Sequence, residues 1–307
     1  MRDCRPEPTR SRDLARHGRE FRYRISGSTR GQRTSPDGTR KGIVGVSDSR
    51  GPTGQVRDGW RLALGTFTAI PTALPGQVDS ARAGVSLLLA PFAFGLWSAA
   101  VGALLALGVW VGIDPLPLAA VGVALLVLGN RAFHLDGLAD TVDGLASSYS
   151  QERSLEVARL GNVGPAGVAA ITLVLLVQVT ASASVLTHSH GPWLFAGLAA
   201  SSRAAAALTA VKGVGAARPE GLGATFAGSV PRAAAFGLWV LVLSVVAGLT
   251  YLSGGGLTGP LAFFALSVLA VAALVHRCHQ RFGGMIGDAM GASIEIVFAL
   301  LLVGFTL

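Results

Sequence analysis

Along most of this chain apolar residues do not alternate with polar ones; they run. From residue 84 onward the sequence divides into apolar stretches at 84–111, 117–133, 165–186, 192–212, 232–252, 260–277 and 289–307. Most approach the roughly 20 residues with which a helix crosses about 30 Å of hydrocarbon. Lipid offers the backbone no water to bond, so these spans are predicted to be helical. Small residues such as Ser201, Ser202 and Ala204 to Ala207 let helix backbones approach closely. The expected fold is all-α: a polytopic membrane helix bundle of about seven transmembrane helices. The stretch from Leu62 to Leu74 is shorter, contains Pro71 and lies between Arg61 and Arg82. A full crossing would put those arginines on opposite sides, so a re-entrant or interfacial N-terminal helix is predicted there.

Composition agrees. Hydrophobic residues make up 51% of the 307 and charged residues 14%, against roughly 25% charged in a soluble domain. Collagen, a disulfide scaffold and a wholly disordered chain are excluded. Cys4 and Cys278 predict no structural disulfide.

Charge divides the chain in two. Residues 1–58 carry 14 of the 25 Lys and Arg and 7 of the 17 acids, net +7, and the remaining residues are net +1. The basic character belongs to the tail, so no nucleic-acid partner is indicated for the body. Residues 1–56 read as a disordered basic tail, without the apolar core of a secretory signal. Three readings stay open: an arm touching anionic lipid, an RNA-binding arm, or a start placed too early, with Val56 encoded by a GTG codon. Residues 57–307 are expected to form a single integral membrane domain.

Lys and Arg also set the topology. The connections near 112–116, 187–191 and 253–259 contain neither, while the alternate ones carry Arg153, Arg159, Lys212, Arg218, Arg232, Arg277 and Arg281. Positive residues stay cytoplasmic, which places the C-terminus outside.

The body's few acids gather at that cytoplasmic side. Asp136, Asp140 and Asp143 are spaced i, i+4 and i+7 directly after a span, on one helix face. Three like charges there favour a hard cation such as Mg²⁺; an ordinary solvated face is the plainer reading. Asp288 and Glu295, seven apart, share another face. Glu295 falls within a span, where a carboxylate suggests function or pairing with Arg203. Arg203 either clamps a phosphate or neutralises a buried acid. Glu220, in Pro219-Glu220-Gly221-Leu222-Gly223, touches substrate or is solvated, and the Gly161-to-Gly167 turn either faces an anion or simply starts a helix. His276, Cys278 and His279 read as a helix end, and His188 and His190 as a solvated outer loop. A proton-relay transporter would spread its acids through the spans; here they collect at one face, which favours surface chemistry on a phosphate ester. Membrane phosphatidyltransferases use a comparable Asp-rich helix beginning Asp-Gly-x-x-Ala-Arg, but here Ala139 precedes Asp140.

The run Phe133-His134-Leu135-Asp136-Gly137-Leu138-Ala139-Asp140-Thr141-Val142-Asp143-Gly144 resembles the signature of the cobalamin synthase family, the adenosylcobinamide-GDP ribazoletransferases. Leu64 to Thr68 with Ile70-Pro71, Ser202-Arg203, Glu220 to Gly223, and Gly287-Asp288 through Glu295 agree in order. The resemblance covers residues 57–307. It implies an enzyme at the plasma membrane, with its active site on the cytoplasmic face, that joins α-ribazole or its 5′-phosphate to adenosylcobinamide-GDP and releases GMP. It implies Mg²⁺ on Asp136, Asp140 and Asp143. Asp136, Asp140, Asp143, Arg203 and Asp288 are implied as catalytic, and His134, Arg159, Glu220 and Glu295 as substrate-binding. Membrane lipid is a partner, and a homo-oligomer is compatible with the sequence. The resemblance departs at Arg159-Leu160-Gly161-Asn162, where many members carry an acid and further Arg. Either that acid is dispensable or activity is reduced here.

Overall fold

A computed structural model describes residues 51–307 apart from 148 and 149. The expected tail therefore lies outside the described residues as far as residue 50. Helix α1 (Pro52–Phe67) begins five residues before the expected domain start. It ends where Thr68 Oγ1 donates to the Leu64 carbonyl, 2.6 Å away. Residues 68–79 are not helical, so the N-terminal helix lies upstream of the predicted Leu62–Leu74 segment. Pro71 falls in the extended stretch, where its missing N–H costs nothing.

α2 (Ser80–Trp110) follows. Asp79 caps it by accepting from the Arg82 backbone N–H, 2.8 Å away, and α1 packs along it. Arg82 also donates to Asp58 of α1 at 3.0 Å. Next come α3 (Pro115–Gly129), α4 (Phe133–Ser147), α5 (Gln151–Val157), α6 (Pro165–Leu186), α7 (Gly191–Ser202), α8 (Ala205–Thr209), α9 (Leu222–Phe226), α10 (Arg232–Ser253), α11 (Thr258–Phe282) and α12 (Asp288–Gly304). No strand occurs among the described residues, only two isolated bridges. α12 runs through the core, packed against α4, α6, α7, α8 and α11.

Among the described residues four helices, α2, α6, α10 and α11, are long and apolar enough to cross a membrane on their own. α3 and α4 qualify only as a pair, bent by 86°, so length and composition support four to five spans. A bend closes the predicted 117–133 stretch, and a break divides the predicted 192–212 stretch. After α3, Arg131 and Ala132 both adopt φ of 59°, a left-handed conformation that costs L-residues about 1–2 kcal/mol each. Hydrogen bonds hold the bend: Ala132 N–H to the Val127 carbonyl at 2.9 Å and the Arg131 guanidinium to the Gly65 carbonyl at 2.9 Å. The break follows Ser202. There the Arg203 side chain donates to the Ala199 carbonyl at 2.6 Å, the acceptor its own backbone N–H would use in a regular helix. That N–H bonds Ala200 instead, at 3.2 Å.

Candidate functional site

The bend at 130–132 aims α4 against the start of α12. The helices touch through glycines: a Cβ on Gly137 would stand 2.6 Å from the Asp288 carbonyl oxygen, and one on Gly291 would stand 2.9 Å from His134 Cα. Backbones this close bring Asp288 beside the acids of α4.

Those acids sense one another. Asp136 is exposed and Asp140 half-buried. Burial raises the Asp140 carboxyl to about 6, reinforced by the charges of Asp136, Asp288 and Asp143. Asp288, the first residue of α12, adds its charge to this group. Clustered carboxylates with unmatched charge are suited to a cation.

Asp143 differs from its neighbours. It is buried, and its two oxygens accept from the backbone N–H groups of Gly164 at 2.6 Å and Gly167 at 2.8 Å. The Gly161-to-Gly167 turn does face an anion, and that anion is Asp143, which caps α6 from outside the helix. Among the described residues no three His, Cys, Asp or Glu side chains converge as metal ligands. The expected trio of Asp136, Asp140 and Asp143 is therefore not assembled around one point. The remaining acids still fit Mg²⁺, which ordinarily takes one or two carboxylates and completes its shell with water and substrate phosphate.

Beside this rim lies a cavity of about 280 Å³. Its charged and polar lining comes from Thr66, His134, Arg218, Glu220 and Asp288, and its apolar wall includes Phe67, Phe133, Phe226, Met285, Ile286 and Met290. Two loops are clamped across it. The Met285 N–H donates to the Gly215 carbonyl at 2.8 Å, and the Ala217 N–H donates to the Met285 carbonyl at 2.9 Å. This pairing sets Arg218, whose guanidinium also donates to the Leu155 carbonyl at 2.7 Å. Burial lowers the Arg218 pKa; Arg159 lowers it further and Asp288 opposes this. Arg159 is exposed but close enough for its charge to be felt, leaving two cations beside an acidic rim.

Behind the cavity is a second polar cluster, and it is closed. His134 Nδ1 lies 3.1 Å from Asn130 Nδ2 and 3.7 Å from Glu295 Oε1. Glu295 Oε2 accepts from Gln178 at 2.7 Å. Arg203 is 1% exposed and stacks on Phe94, 3.4 Å from the ring centroid. It also donates to Ser202 Oγ at 2.8 Å, and its charge acts on Glu295. It is not among the cavity-lining residues. Of its two sequence readings, neutralisation of a buried acid is the one its surroundings match.

The structure thus brings His134, Glu220 and Asp288 to one cavity, sets Asp136 and Asp140 beside it and Arg159 near Arg218, and puts Asp143, Arg203 and Glu295 in supporting positions. Arg218 is the functional candidate that sequence reading missed, counted there only as a topology marker. Its place directly before the Pro219-Glu220 turn was the available signal.

A family profile described as cobalamin-5-phosphate synthase matches residues 59–306. The chain is 41% identical over 250 residues to an adenosylcobinamide-GDP ribazoletransferase of a Nocardioides species, an alignment spanning 81% of this chain and 99% of that protein. It is 36% identical to the protein of that name from Frankia casuarinae, covering 78% and 91% of the two chains. For the one from Pseudomonas entomophila the identity is 35%, with 80% and 97% covered. No solved structure matches the chain.

Proposed function

The chain belongs to the cobalamin-5-phosphate synthase family, and we propose that it is an adenosylcobinamide-GDP ribazoletransferase, closing the nucleotide loop of adenosylcobalamin at a membrane surface. The observation that carries the chemistry is the junction of α4 and α12. Unmatched carboxylates, a cation pair and a cavity meet there, as transfer between two phosphate-bearing or hydroxyl-bearing substrates requires.

Each residue then has a role. Arg218, with Arg159 nearby, binds the diphosphate of adenosylcobinamide-GDP. Asp136 and Asp140 would hold Mg²⁺, which would supply positive charge to phosphate oxygens and to the departing GMP. Asp288 lies between the acidic rim and the cavity and takes the proton of the attacking ribose hydroxyl. The new O–P bond forms on the cobinamide-side phosphorus, the bond to GMP breaks, and the proton stays on Asp288. Glu220 orients the substrate at the cavity mouth. Asp143 sets the distance between α4 and α6.

The bundle is proposed to lie in the plasma membrane with about seven spans, counting α3, α7 with α8, and α12 in addition to the four long helices. α4 and the cavity mouth then face the cytoplasm, where the Lys and Arg connections gather. The test is GMP release by purified protein with Mg²⁺, adenosylcobinamide-GDP and α-ribazole. GMP appearing only when both substrates are present supports the reading. Its absence from a well-folded preparation overturns it.

A further inference from the structure

The cavity beside Asp288 has a chemistry of its own. Its lining is mostly apolar and aromatic, contributed by α1, α4, α9, α12 and the Met285-Ile286 turn. At about 280 Å³ it sits at the small end of ligand cavities, roughly 300–1,000 Å³. That is room for one nucleoside-sized group and far too little for a corrinoid. Phe67 and Phe133 flank the His134 ring, with centroids 5.8 and 6.3 Å away.

His134 supplies the second observation. It is 1% exposed and lines the cavity, and among the described residues its Nε2 has no hydrogen-bond partner. A buried polar atom without a partner costs about 1–3 kcal/mol, so a cavity wall that keeps one is matched to a ligand atom. Nδ1 is engaged by Asn130 Nδ2 at 3.1 Å and faces Glu295 Oε1 at 3.7 Å, so Nε2 is the ring nitrogen open to a ligand.

We infer that this cavity receives the heteroaromatic base of the nucleoside substrate, with the apolar wall enclosing the methylated benzimidazole ring and His134 Nε2 donating to its unsubstituted ring nitrogen. The inference rests on the proposed transferase reading and assigns one of its two substrates to a subsite. The mostly apolar lining suits a methylated ring better than guanine, whose donors and acceptors would have only Thr66, His134, Arg218, Glu220 and Asp288 to meet. The base buried here leaves the ribose hydroxyls at the rim with Asp288, and leaves the corrinoid outside.

The test uses the full chain in detergent or nanodiscs. Ala224→Phe fills the cavity from a partly exposed lining position. It is expected to raise the KM for α-ribazole by about tenfold or more, with the KM for adenosylcobinamide-GDP within twofold. In wild type, the KM is expected to rise about fourfold for each ring methyl removed from α-ribazole, the scale of a buried methyl group. Equal rises in both KM values for Ala224→Phe, or a rise for adenosylcobinamide-GDP alone, overturns the assignment. So does indifference to the ring methyls. If Ala224→Phe is inactive, direct binding of radiolabelled α-ribazole decides: binding as tight as wild type contradicts the assignment, and lost binding by a folded variant supports it. Wild-type protein that releases no GMP is a separate result, a failure of the transferase reading itself.

Discussion

Asp288 and Glu295 stand two turns apart on one face of α12, and they illustrate opposite uses of a carboxylate. Glu295 is buried and matched: Gln178 donates to it, His134 lies beside it, and the Arg203 charge acts on it. Asp288 lines the cavity and adds to a group of acids whose charges repel. A charge whose partners are already in place stabilises the bundle. A carboxylate set among other carboxylates is a candidate to meet a bound cation or substrate. The same contrast recurs within α4, where Asp140 is raised by its neighbours while Asp143 is occupied by two backbone N–H groups.

Breaking the open site has the largest expected effect. Asp288→Asn keeps the volume and removes the proton acceptor, so turnover should fall by roughly 10²- to 10⁴-fold with the melting temperature in detergent unchanged or raised. Single-turnover GMP release with a parallel thermal melt checks this. Near wild-type turnover would remove Asp288 from the chemistry.

Breaking the closed cluster should do the reverse. Arg203→Ala deletes the cation stacked on Phe94 and leaves Glu295 buried with less compensation, at a cost of about 2–4 kcal/mol. The variant should melt several degrees lower, while turnover per folded molecule stays within about threefold. A hundredfold loss of turnover at unchanged stability would return Arg203 to the phosphate-clamp role.

Asp143→Ala should cost about 1–2 kcal/mol through the loss of two acceptors at the start of α6. Asp143→Asn should cost less, because one acceptor oxygen remains. Hydrogen exchange at the α6 N-terminus is the measurement, and unchanged protection in the Ala variant would discard the cap.

The smallest effect is on stability against pH. Asp140 ionises at about 6 in the folded protein and near 3.8 when unfolded, so between those values the folded state holds the proton more tightly. This group's contribution to stability therefore falls as pH rises from about 4 to 6. Without metal, wild type should lose stability relative to Asp140→Asn across that window. Added Mg²⁺ should reduce the difference above pH 6. Parallel melts of the two proteins test it, and identical pH profiles would count against the charge cluster.

Much of this was legible in the sequence. The long apolar runs located α2, α6, α10 and α11 closely, since hydropathy records the solvent each helix meets. The Asp136 to Asp143 spacing picked out the acids that the structure sets beside the cavity. The pattern gave no sign of the break at Arg203, which arises because a side chain takes the Ala199 carbonyl. Nor did it show the bend at Arg131-Ala132, where two ordinary residues hold a left-handed backbone against tertiary bonds. Equal spacing also made Asp140 and Asp143 look equivalent, and only the approach of Gly164 and Gly167 separates them. Arg218 reached the cavity through a loop pairing with Met285, a contact between segments almost 70 positions apart.

The most direct test of the division between open and closed carboxylates is a Mg²⁺ titration of GMP release for Asp136→Asn, Asp140→Asn and Asp143→Asn beside wild type. The account predicts that the first two lose about 10²-fold in turnover at low Mg²⁺, with at least one partly recovering as Mg²⁺ rises. It predicts that Asp143→Asn keeps a wild-type Mg²⁺ dependence and loses less than tenfold. Full activity in the Asp136 and Asp140 variants at low Mg²⁺, or the steepest Mg²⁺ requirement in the Asp143 variant, would contradict it.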